Sequence, residues 1–152
     1  MLDALKELFA GLNGPRSETH FEDGDHRLAI AALLVHAVAI DGVVDDAERD
    51  KIRKVLASEF DLSPGETREL VSEAREKDRE AVDLYSFTSV LKRALDFDRR
   101  LRCVEMLWEI VYADGAVHEL EDNLVWRVAE LLAVPREERL RLKREGAARK
   151  GA

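Results

Sequence analysis

From Leu28 to Ile40 the chain is almost uninterruptedly apolar, whereas the segments after it mix apolar and charged residues with the period of a helix. The apolar run is too short to span a bilayer and predicts a helix buried on all sides at the centre of a domain. Asp45–Phe60 then predicts an amphipathic helix with Ile52, Val55, Leu56 and Phe60 on its inner face. Ser63, Pro64 and Glu66 form a capping-box signature that opens a helix running to about Ala81. Leu84–Leu95 follows, with Phe87, Val90, Leu91 and Leu95 on one face. Arg99–Ala113 is a second strongly apolar helix, and Glu119–Ala133 places Leu124, Val125, Val128, Leu131 and Leu132 together. Pro135 opens a short charged helix expected to fray near Gly146, leaving 147–152 as a disordered tail. At the other end Met1–Leu12 aligns Leu2, Leu5, Leu8, Phe9 and Leu12, and a polar linker runs from Pro15 to Asp25. No stretch alternates with the period of a strand. The expectation is an all-α fold, a compact bundle of about seven to eight helices over residues 26–146, with residues 1–25 as amphipathic helix and linker.

Setting Leu33 against Met106, an offset of 73, aligns two halves of the chain. Asp41 meets Asp114, Gly42 meets Gly115, Val44 meets Val117 and Glu48 meets Glu121, so V-x-x-D-G-x-V-x-x-x-E occurs twice, each time between two helices. The spacing predicts an internal duplication of a helix–loop–helix unit.

Each residue of this signature has a structural role that needs no ligand. Glycine ends a helix in a left-handed turn, valine plugs the core, and Asp45 with Glu48 caps the next helix. A second reading rests on the glutamate that follows each glycine by six positions, the spacing of a calcium-binding loop. On that template Asp41 and Asp114 take the fifth place, and Asp45 and His118 the ninth. The first and third places hold Ala37 and Ala39 in one half and Ile110 and Tyr112 in the other, so neither loop is a self-contained EF-hand. Each loop offers two or three oxygens, and a cation site requires both loops to pool them. Carboxylates alone suit Ca²⁺, Mg²⁺ or Mn²⁺, while His118 makes Zn²⁺ or Mn²⁺ more competitive.

The net charge of −8 disfavours nucleic acid and anionic lipid and suits divalent cations or basic partner surfaces. A single cysteine, Cys103, excludes an internal disulfide and a cysteine-based zinc cluster, and its apolar neighbours predict burial. Met1–Leu12 carries Asp3, Lys6 and Glu7 where a signal peptide would be apolar, so the expected location is the cytoplasm. His36 falls on the apolar helix and is read as a satisfied core histidine; Trp108 and Trp126 are read as core packing. The cations between Arg136 and Lys150 are read as a solvated helix end. No P-loop, dinucleotide-binding glycine motif, H-E-x-x-H or nucleophile elbow is present. No catalytic residue is assigned.

Ala39-Ile40-Asp41-Gly42-Val43-Val44 with Glu48, and Tyr112-Ala113-Asp114-Gly115-Ala116-Val117 with Glu121, resemble the paired loops of the TerB-like family, named for a tellurite-resistance protein. The resemblance spans about His26 to Glu138. A related helical domain fronts a membrane-anchored DnaJ-type co-chaperone. The resemblance implies a helical bundle with an acidic cluster able to bind a metal, in a bacterial stress-response setting, and by position it carries over five candidate ligands, Asp41, Asp45, Glu48, Asp114 and Glu121. His118, where the first half has Asp45, breaks the symmetry of that set. The expected function is a non-catalytic module that binds a divalent cation or a partner through its two D-G loops. One alternative is a protein–protein adaptor, or homodimer, using Met1–Leu12 while the loops are purely structural. Another is a metal-assisted hydrolase with a deep pocket beside Asp41 and Asp114.

Overall fold

A computed structural model describes residues 25–40, 46–80, 84–113 and 119–151, with side chains to Ala148. Among these residues there are seven helices and no strand. The helix expected over Met1–Leu12, the linker expected after it, and Asp41, Asp45, Asp114 and His118 lie outside the described residues.

Helix α1, His26–Ala39, is the hub. It begins at Asp25, whose carboxylate accepts the Arg27 backbone N–H at 2.8 Å. Burial alone would raise the Asp25 pKa. The hydrogen bonds from the Arg27 side chain and backbone, with the Arg27 charge, outweigh it and hold this carboxyl below its usual value. Nine of the fourteen residues of α1 are buried, and it packs against α2 to α6, most extensively against α3. Ala31, Ala32 and Ala37 have no exposed surface, so their methyl-sized side chains let neighbouring backbones come close on several sides.

α2, Asp46–Phe60, buries Ile52, Val55 and Leu56. It stops where Asp61 adopts a left-handed φ of 54°, and the Leu62 N–H turns back to the Ala57 carbonyl. α3, Pro64–Glu80, opens with the expected reciprocal cap: the Glu66 side chain accepts the Ser63 N–H at 2.9 Å, and the Ser63 hydroxyl accepts the Glu66 N–H at 3.1 Å. α4 is Tyr85–Ala94. α5, Phe97–Val111, starts two residues before the expected Arg99 because Asp96 caps it, accepting the Arg99 N–H at 2.9 Å. α6 is Glu119–Leu131, followed by Ala133 in a left-handed turn at φ 61°.

α7 departs from expectation. Neither a frayed end near Gly146 nor an unstructured 147–150 is found, since the helix runs from Arg136 to Gly151. Leu142 and Gly146 are buried, and a β-carbon at Gly146 would lie 3.0 Å from Trp108 Cβ, so glycine here permits α7 to lie directly on α5. Lys143, expected to be solvated, bonds Asp122 of α6 at 2.6 Å and sits 5.5 Å from the centre of the Trp108 ring. Trp108 is a core residue, 1% exposed. Trp126 is only half-buried, with the Arg139 guanidinium over its ring, which corrects the expectation of a second core tryptophan. His36 is satisfied, its Nδ1 lying 2.7 Å from Asp78 of α3, but its side chain is 35% exposed, which corrects the expectation of a core histidine.

Candidate functional site

The two segments that carry the repeated signature join α1 to α2 and α5 to α6. Of the five candidate ligands, Glu48 and Glu121 are described. Each is the third residue of its helix, α2 and α6 respectively, and each is buried, at 3% and 1% exposure. They are the only acidic residues buried among the described ones. Glu66 holds the same third position in α3 and makes a complete capping box while staying half-exposed. Capping therefore explains why a glutamate stands at the third position but not why two of the three are inside. A carboxylate in the interior persists only where hydrogen bonds or positive charge compensate its lost hydration. Both side chains have interaction partners.

Beside the start of α2 lies a cleft of about 520 Å³. One wall comes from the beginning of α2, through Ala47, Asp50, Lys51 and Lys54. The opposite wall is the end of α5, through Glu109, Tyr112 and Ala113, and Gly146 of α7 closes it. Ala47, the second residue of α2, and Ala113, the last described residue before the second signature loop, thus line one opening. None of Glu109, Lys51 and Lys54 was singled out from the sequence, where each looks like an ordinary residue of an amphipathic helix, and Tyr112 entered only as part of the second loop. Among the described residues no group of three His, Cys, Asp or Glu side chains converges in a way that could hold a metal.

Arg102 braces this arrangement from behind. Its guanidinium donates to Glu59 of α2 at 2.9 Å and to Glu105 and Glu109 of its own helix at 2.8 and 3.2 Å. Burial by itself would favour the neutral form. The bonds to Glu105 and Glu59, with the charge of Glu109, outweigh it and hold the Arg102 pKa well above the usual arginine value. Next to it, Cys103 is fully buried, and desolvation, reinforced by the Glu59 charge, pushes its thiol up to about 12. That thiol is a packing group, not a nucleophile.

The family model described as tellurite resistance protein TerB matches residues 27–144. The chain belongs to the TerB family. The match takes in α1 from its second residue, all of α2 to α6 and the first part of α7, together with both signature segments. A search of curated proteins and a search of solved structures found no match. In this TerB-family chain no helix of the described residues is long and apolar enough to cross a membrane.

Proposed function

We propose that this TerB-family domain is a non-catalytic module that takes up one divalent cation through carboxylates pooled from its two D-G segments. The supporting observation is the matched burial of Glu48 and Glu121, which exceeds what helix capping requires. Asp41, Asp45 and Asp114 complete the proposed donor set. Its all-oxygen character fits a hard ion such as Ca²⁺, Mg²⁺ or Mn²⁺, with His118 widening the range to Zn²⁺. The cation would supply the positive charge that brings neighbouring carboxylates together without mutual repulsion, and would fix the α1–α2 and α5–α6 connections beside the cleft. The open cleft carries Lys51 and Lys54 on one wall and Glu109 on the other, a mixed surface better suited to a protein partner than to sequestered chemistry.

The test is thermal unfolding of chelator-stripped protein with each ion. An ion at a hundred times its Kd stabilises by about 2.7 kcal/mol. For a domain of this size that raises the Tm by roughly 5–10 °C. Asp41→Ala combined with Asp114→Ala is expected to abolish the rise. A second reading, a protein adaptor whose loops are only structural, draws support from the Ser63–Glu66 box, where this chain uses a third-position glutamate as a helix cap. Melting curves unmoved by every ion would leave that reading standing.

A further inference from the structure

On the far side of α2 a second cleft opens between α1, α2 and α3, with a volume of about 230 Å³. Its floor is aliphatic, formed by Val35 and Val38 of α1, Ile52 of α2 and Val71 of α3. Four arginines line it: Arg49 and Arg53 from α2 face Arg75 and Arg79 from α3. All four are exposed. Among the described residues Arg53 and Arg79 are engaged only by Asp50 and Glu76, surface carboxylates three residues away on the same helix, and such pairs exchange readily. Arg49 and Arg75 have no ion pair among the described residues. The one carboxylate in the lining, Asp78, already faces the His36 imidazole at 2.7 Å.

This concentration of guanidinium groups stands out in a chain whose net charge is −8. Four long cations set at one cleft repel each other, and a solvated surface gives no reason to gather them there. An aliphatic floor under an arginine rim is complementary to an apolar group flanked by carboxylates. At about 230 Å³ the opening is smaller than the roughly 300–1,000 Å³ typical of small-molecule pockets. It matches one or two anchoring side chains of a peptide, with acidic neighbours left at the rim for the planar, fork-like guanidinium donors. We infer that the α1–α2–α3 cleft docks an acidic segment of a partner protein, an aliphatic or aromatic side chain entering the floor and Asp or Glu residues pairing with Arg49 and Arg75. This site is separate from the cation proposal, with α2 lying between the two clefts.

The test is an NMR titration of the full chain, methyl-labelled and held in chelator, with a synthetic helical peptide carrying a Leu-Phe pair between glutamates. Saturable shifts are expected at the Val35, Val38, Ile52 and Val71 methyls. Arg49→Glu with Arg75→Glu should weaken binding at least tenfold while leaving the Tm within about 2 °C, since both side chains are exposed. Replacing the peptide glutamates by lysines should abolish it. Absence of shifts at those methyls, equal binding of the lysine peptide, or undiminished binding by the double variant would each overturn the inference. So would hexanoate binding as tightly as the peptide, which assigns the cleft to small anions. Self-association that perturbs the same methyls without peptide assigns it to a second copy and equally overturns it. Because chelator is present throughout, none of these outcomes depends on the cation.

Discussion

Replacing Arg102 by alanine tests whether α2 and α5, the helices flanking the cleft, are braced by a shared charge. The side chain is about a third exposed, and its partners Glu59, Glu105 and Glu109 are 27%, 25% and 18% exposed, so solvent screens the contacts only in part. Fully exposed pairs contribute about 0.2–1 kcal/mol each. Hydrogen bonds to charged groups reach about 1.5–3 kcal/mol when shielded. Taking roughly 0.5–1 kcal/mol for each of these half-shielded contacts, their loss amounts to about 1.5–3 kcal/mol. The three carboxylates left without their shared cation add repulsion of the same sign. At about 2–4 °C per kcal/mol, the Tm should fall by roughly 3–12 °C, read by circular dichroism in low salt. In 1 M salt, where screening is stronger, the gap between variant and parent should narrow. The pKa of Arg102 is raised on folding, so its contribution is complete below the unfolded arginine value and is lost only above the folded one. The variant's deficit should accordingly persist unchanged from pH 6 to 9. A Tm within 1 °C of the parent in low salt would refute the brace.

Asp25→Ala removes the cap of the central helix and should cost about 1 kcal/mol, seen as a Tm lower by about 2–4 °C at pH 7. Because folding lowers the Asp25 pKa, this contribution is present above the ordinary carboxylate value and vanishes as pH falls through the folded one, so parent and variant should converge in strong acid. Native Cys103 should resist a thiol reagent at pH 8 and react only after denaturant is added; rapid native labelling would contradict its burial and raised pKa.

The helical class and most helix positions were legible because local signals agree with the fold: α1 announced its central place by lacking a polar face, and Ser63 and Glu66 wrote the start of α3. What escaped depends on contacts between distant segments. The extent of α7 was underread because Gly146 and a run of charges look like a helix ending. Trp108 beneath that glycine, and Asp122 opposite Lys143, supply the support that local sequence does not display. Glu48 and Glu121 were picked out by their spacing from the glycines, yet spacing cannot tell a capping glutamate at the surface, such as Glu66, from one inside. The cleft between the start of α2 and the end of α5, and the arginine-rimmed cleft on the other side of α2, arise only when three helices meet. Each helix taken alone looks like an ordinary amphipathic segment.

The shared cation is tested most directly by titration calorimetry of the chelator-stripped chain against Ca²⁺, Mg²⁺, Mn²⁺ and Zn²⁺ in turn. The account predicts saturable binding of at least one of them at one ion per chain, lost when Asp41 and Asp114 are both replaced by alanine. Heats no larger than dilution for all four ions, or two independent equivalents per chain, would contradict a site built jointly by the two loops.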